Sequence, residues 1–125
     1  MRLRRPSPAT LLAAGGILAL DQATKLAVAI VRDRLPYPVT GRIRLEYVHN
    51  TGMSFSLFTG HAWVFTLLTA AISAALAAGL VSAPRRYALP MAIILGGSLG
   101  NLIDRLRLGY VIDFLGIYSY PTFNL

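Results

Sequence analysis

Hydrophobic and polar positions divide the chain into three long apolar runs and one stretch that alternates. The clearest run, Ala62 to Ala83, carries no charge, opens beside a Trp and closes at Pro84-Arg85-Arg86, the pattern of a membrane-crossing helix with its anchor and stop. A second runs uncharged from Tyr87 to about Ile103, so the two predict a helical hairpin with a tight basic turn. The first, Ala9 to Val31, is apolar except for Asp21 and Lys25. Each approaches the length of about 20 residues that a helix needs to cross about 30 Å of hydrocarbon. Arg42 to Val48 alternates with period two instead, and Asn50-Thr51-Gly52 follows as a turn before Met53 to Phe58. That pattern predicts a small sheet lying on the membrane, with Pro36 and Pro38 in its irregular lead-in.

Composition agrees with this reading. The 125 residues are 55% hydrophobic and 14% charged, which argues against a water-soluble domain of this size. There is no cysteine, which excludes disulfides, thiolate metal sites and a cysteine nucleophile. Twelve Lys+Arg against five Asp+Glu give a net charge of +7, but the arginines stand in short clusters between apolar runs. Membrane lipids with anionic headgroups therefore suit them better than nucleic acid. The arginines do not orient the chain, because Arg2, Arg4, Arg5, Arg85 and Arg86 on one side face Arg32, Arg34, Arg42, Arg44, Arg105 and Arg107 on the other. Ala27-Val28-Ala29 mimics a secretory cleavage site, yet an acid and a base inside the preceding run point to a retained helix.

Ionisable groups inside such runs are the first candidates for chemistry. Asp21 and Lys25 are four apart and share a helical face, acid before base, which suits an ion pair that either locks the helix to its neighbours or serves a site. Gly97, Asn101, Asp104 and Arg105 form one helical stripe, readable as a glycine packing seam capped by an Asp–Arg pair or as part of a site. Asp113 lies in Gly109-Tyr110-Val111-Ile112-Asp113-Phe114, which should leave the helix at Gly109. On a continuous helix Asp104 and Asp113 would be half a turn out of phase and about 13.5 Å apart along the axis, so pairing them needs a sharp fold-back at Gly109. Asp113 alone also reads as a capping or solvated carboxylate, and Asn50 as a turn residue. His49 and His61 have no carboxylate or cysteine at ligand spacing, so no metal site is expected. Nucleophile-elbow, phosphate-loop and dinucleotide motifs do not follow any expected strand.

Together these blocks resemble the lipoprotein signal peptidase (signal peptidase II) family. The resemblance rests on Asp21-Gln22-Ala23-Thr24-Lys25, Asn50-Thr51-Gly52-Met53-Ser54-Phe55, Gly96 through Arg105, Gly109 through Phe114, and Phe123-Asn124-Leu125, in that order over nearly the whole chain. It implies an all-α helical bundle in the bacterial inner membrane, with three spans at 9–31, 62–83 and 87–103 and a fourth helix in the family. Residues 32–61 become an extracytoplasmic, β-containing loop, and 1–125 a single peptidase domain. It implies an aspartic endopeptidase, without metal or organic cofactor, that cuts diacylglyceryl-modified prolipoproteins just before the lipidated cysteine. Asp113 falls on one catalytic aspartate, and the other follows the Phe-Asn block, so the chain to Leu125 is expected to lack it, to be C-terminally incomplete and to be inactive as it stands. Asp21, Lys25, Asn50, Gly52, Asn101, Asp104, Arg105 and Asn124 fall on supporting or substrate-binding positions. Met53-Ser54 stands where the family usually has small residues, which bears on the fit of the substrate. The active site is expected near the extracytoplasmic face, in a monomer. The alternative is a non-catalytic membrane binder of lipoproteins or lipids; a transporter would need polar residues through the depth of several helices, whereas here they cluster towards one end apart from Asp21 and Lys25.

Overall fold

A computed structural model describes residues 3–39, 41–50, 62–117 and 124. Three helices, α1 (Pro8–Ile30), α2 (Ala62–Ser82) and α3 (Ala88–Leu108), make the bundle. Three strands, β1 (Tyr37–Pro38), β2 (Ile43–Asn50) and β3 (Val111–Ile117), form an antiparallel sheet in the order β1-β2-β3. All three helices are long and apolar enough to cross a membrane. Their outward faces carry large exposed side chains such as Leu12, Ile30, Trp63, Leu67 and Leu106, which only a hydrocarbon surround makes tolerable.

The helix starts and stops follow from local sequence. Ser7 caps α1 by accepting from the Thr10 N–H at 3.1 Å, and Pro8 supplies the preset first turn. α3 does not stop near Ile103, where its apolar run ends, but continues to Leu108. Arg105 and Arg107 lie in its last turn, where they complement the helix dipole. Gly109 then ends it in the left-handed conformation, φ 84°, which a residue with a side chain rarely adopts.

α3 is the central helix, packed against both α1 and α2. It runs parallel to α1, and small residues let the two backbones meet. A Cβ on Gly96 would stand 2.6 Å from the Ala14 carbonyl oxygen, and one on Gly100 would overlap the Asp21 carboxylate. Gly96 and Gly100 thus make a G-x-x-x-G seam in which α1 lies. α2 runs antiparallel to α3; Leu80, Ala92 and Leu95 form a buried cluster between these helices, and Ser73 and Ser98 share a hydrogen bond of 2.7 Å.

The sheet sits across the end of the bundle. Ile112 and Phe114 of β3 pack on Val28 in the last turn of α1, with Leu35, Tyr47 and Leu108 around them. β2 pairs with β3 from Ile43↔Ile117 to Asn50↔Val111, with an irregularity between Leu45 and Val48. Leu45 to Val48 spans one residue more than Leu115 to Asp113 opposite, so β2 bulges there. Neither β1 nor β3 is among the strands the sequence predicts, since residues 109–114 are expected only to leave the helix, and the part of the expected sheet at Met53 to Phe58 lies outside the described residues.

Candidate active site

Three helix ends and the sheet gather the polar residues at one end of the bundle. In α1, the four-residue spacing of Asp21 and Lys25 gives the expected ion pair, Nζ to Oδ2 at 2.7 Å. Lys25 also reaches across the seam to Asp104 Oδ2 at 2.8 Å and donates to Asn101 Oδ1 at 3.1 Å. Asp21, Lys25 and Asp104 are each no more than 2% exposed. A cation shared by two carboxylates is how such charges survive away from water. The pair is therefore continuous with the α3 cluster, contrary to the expectation that set Asp21 and Lys25 apart. The reason is the parallel packing of α1 on α3, which brings residues 21–25 level with 100–104.

Asp104 is fully used within this frame. Its Oδ2 also accepts the Ile112 N–H at 3.1 Å, and its Oδ1 lies 3.3 Å from the Gln22 amide nitrogen. The chain does fold back sharply at Gly109, but the turn presents the backbone of Ile112 to Asp104. Pairing of Asp104 with Asp113 is thus replaced by an anchor: Asp104 pins β3 one residue before Asp113.

Asp113 is 3% exposed. Across the β2–β3 ladder it is the diagonal neighbour of Asn50, whose amide donates to Asp113 Oδ2 at 2.9 Å. From the other side the Asn124 amide donates to Oδ1 at 2.5 Å. Burial pushes the Asp113 carboxyl above the ordinary carboxylate range, while the amides of Asn124 and Asn50 and the charges of Lys25 and Arg105 pull it down. The group is neither solvated nor a helix cap. Arg105 is held towards α2 by a hydrogen bond from Nη1 to Thr69 Oγ1 at 3.2 Å.

Of the site candidates, Gly52 lies outside the described residues, as does His61. Asp21, Lys25, Asn101, Asp104 and Arg105 form the frame, and Asn50, Asn124 and Asp113 a tight group beside it. Two participants were missed. Gln22 bonds Asp21, the Gly100 carbonyl and Asp104, and its signal was a polar residue in the middle of an apolar run. Thr69 is hidden in the apolar pattern of α2, where its hydroxyl also donates to the Phe65 carbonyl. His49 stacks on Tyr110 with ring centroids 3.8 Å apart and lies 2.9 Å from the Tyr47 hydroxyl, at the sheet surface.

A multi-pass membrane protein with a buried, amide-gripped carboxylate at one end of its bundle is the class that fold and geometry define. The sequence pattern of signal peptidase (SPase) II matches residues 13–125, and the chain belongs to that family of proteases. It is 39% identical to the lipoprotein signal peptidase of Dehalococcoides mccartyi over 125 aligned residues, covering 90% of this chain and 75% of that protein. It is 42% identical to the lipoprotein signal peptidase of Parasynechococcus marenigrum, covering 89% of this chain and 74% of that protein. Among solved structures, one bacterial membrane enzyme superposes with a TM-score of 0.86 at 24% identity, covering 99% of this chain and 81% of that one. A second gives 0.82 at 24% identity, covering 99% and 86%. These two likenesses concern the fold.

Proposed function

We propose that the protein is an aspartic endopeptidase of the bacterial inner membrane that removes signal peptides from diacylglyceryl-modified prolipoproteins, cutting just before the lipidated cysteine. The observation that carries this is Asp113, buried at the end of the bundle and gripped on both carboxylate oxygens by the Asn50 and Asn124 amides. Two carboxylates that share one proton do the chemistry: one takes a proton from the attacking water, and the other gives a proton to the carbonyl oxygen. For Asp113, burial favours the neutral acid while the amides and nearby cations favour the anion. That balance lets one group hold a proton in one step and release it in the next. Its partner is the carboxylate that the resemblance places a few residues after Phe123-Asn124. The Asn124 contact supports this, because it brings that part of the chain to Asp113. Neither metal nor organic cofactor is needed, and the unit is a monomer.

The architecture suits a lipid-bearing substrate. The diacylglyceryl chains stay in the bilayer, and only the scissile bond must reach carboxylates at its extracytoplasmic edge. Asp21, Lys25, Gln22, Asn101 and Asp104 do no proton transfer in this scheme; they hold α1, α3 and β3 together so that Asp113 keeps its place. Arg105 fixes the α2 side.

The test is incubation of the polypeptide, including the block after Asn124, with lipidated and unlipidated prolipoprotein in detergent, followed by mass spectrometry of the products. The proposal expects cleavage of the lipidated form alone, with the modified cysteine as the new N-terminus. Capture of the lipoprotein without cleavage makes the protein a binder, and equal cutting of both forms refutes the substrate assignment.

A further inference from the structure

The end of the bundle away from Asp113 concentrates arginines with no acidic side chain beside them among the described residues. Arg4 and Arg5 precede α1, and Arg85 and Arg86 form the turn before α3. The acidic residues Asp21, Asp33, Glu46, Asp104 and Asp113 all lie elsewhere. Because α1 and α3 run parallel, both begin at this end, and a cavity of about 370 Å³ opens there. It is lined by Arg4, Arg5, Ser7, Thr10, Leu80 and Arg85, among others.

Its polar groups divide into those already engaged and those still available. Arg4 is a structural tie: its N–H donates to the Val81 carbonyl at 2.9 Å and its guanidinium to the Ala83 carbonyl, which joins the N-terminal segment to the end of α2. Ser7 and Thr10 bond each other at 2.8 Å, and Arg86 lies over the Tyr87 ring, 4.8 Å from its centroid. Arg5 and Arg85 are exposed and line the cavity, and their guanidiniums make no hydrogen bond or ion pair among the described residues. The cavity thus presents two unengaged guanidiniums, the groups best suited to bidentate binding of phosphate, at a depth where the apolar spans begin. The first turns of α1 and α3 add partial positive charge. Exposed Leu89 forms part of the apolar lining, and Leu11 and Leu12, next along α1 from Thr10, are exposed to the bilayer.

We propose that this cavity binds the phosphate headgroup of an anionic phospholipid, with Arg5 and Arg85 as its ligands and the acyl chains running along the outer faces of α1 and α3. The apolar rim selects a lipid over free phosphate. The site is independent of the chemistry at Asp113 and rests only on the membrane-spanning reading of the helices.

The test titrates purified protein in neutral detergent with phosphatidylglycerol, phosphatidylcholine or inorganic phosphate, reading the unfolding temperature and, by native mass spectrometry, the number of lipids bound. Phosphatidylglycerol is expected to bind saturably and raise the unfolding temperature, the other two not. The double variant Arg5→Gln/Arg85→Gln should weaken phosphatidylglycerol about 25-fold, from about fivefold for each cation removed near a lipid surface. Arg34→Gln/Arg107→Gln removes the same charge from the other end and should leave the affinity unchanged. Equal loss in that control, or an equal response to phosphatidylcholine or phosphate, overturns the proposal. A photoactivatable phosphatidylglycerol gives a readout on the wild-type chain, with labelling expected at residues 5–10 and 85–89. Labelling confined to other segments overturns the proposal whether or not the variant folds.

Discussion

Replacement of Lys25 by Met tests whether the buried frame supports the whole site end. Met keeps the length and apolar stem of Lys25 but removes the ammonium that stands 2.7 Å from Asp21 and 2.8 Å from Asp104. Two carboxylates, each fully buried, are then left facing one another without a cation. Removal of one partner from a buried ion pair costs about 3–5 kcal/mol, mostly the penalty of the charge left behind. Because both orphaned groups are acids, part of that cost is relieved by protonation, so about 3 kcal/mol is the working figure. For a domain of this size that lowers the unfolding temperature by about 10–15 °C. The second readout is catalytic. Asp104 holds the Ile112 N–H at 3.1 Å, one residue from Asp113, so under the proposed function loosening Asp104 should also lower cleavage of lipidated prolipoprotein. Lys25→Met combined with Asp21→Asn leaves a single acid and should recover part of the stability. An unfolding temperature within about 2 °C of the wild type, with full cleavage, would show that the frame holds nothing in place.

Other consequences are as direct. The Asp113 carboxyl is raised by burial, so the native state keeps its proton to higher pH than the unfolded chain does. Stability should therefore fall as pH rises from the ordinary aspartate value of about 3.9 through the raised one, and Asp113→Asn should flatten that fall; parallel curves for the two proteins would contradict it. Gly100→Ala places a methyl group against the Asp21 carboxylate and should cost about 1–3 kcal/mol, whereas Gly15→Ala meets nothing within 4 Å and should be neutral or stabilising by up to about 1 kcal/mol, both read from thermal unfolding. Asn50→Leu removes one grip on Asp113 and should lower the cleavage rate more than the unfolding temperature.

Much of the architecture is written in hydropathy. The uncharged run from Ala62 and the basic turn at Arg85-Arg86 define α2 and the hairpin, and Gly109 marks the end of α3 through its left-handed backbone. Hydropathy fails where a helix outlasts its membrane-facing part: Asp104, Arg105 and Arg107 look like the end of a span, yet the i→i+4 ladder runs on to Leu108. The ion pair of Asp21 with Lys25 is legible because its spacing is local. Its sharing with Asp104 is not, because that depends on the parallel contact that Gly96 and Gly100 permit between α1 and α3. Asp113 is legible as a carboxylate beyond the end of α3, but its place in a strand is not. Its grip by Asn50 depends on a ladder register set partly by the bulge between Leu45 and Val48, which no period-two pattern shows. Thr69 is not legible for a simpler reason: a hydroxyl that bonds its own helix fits an apolar pattern.

The most direct measurement is the rate at which the polypeptide that includes the block after Asn124 cleaves lipidated prolipoprotein when Asp113 is replaced by Asn. The amide keeps the shape of the side chain and removes its acid–base capacity, so the rate should fall by at least about 10²–10⁴-fold while the protein stays folded. Cleavage near the wild-type rate would mean that proton transfer happens somewhere other than at Asp113.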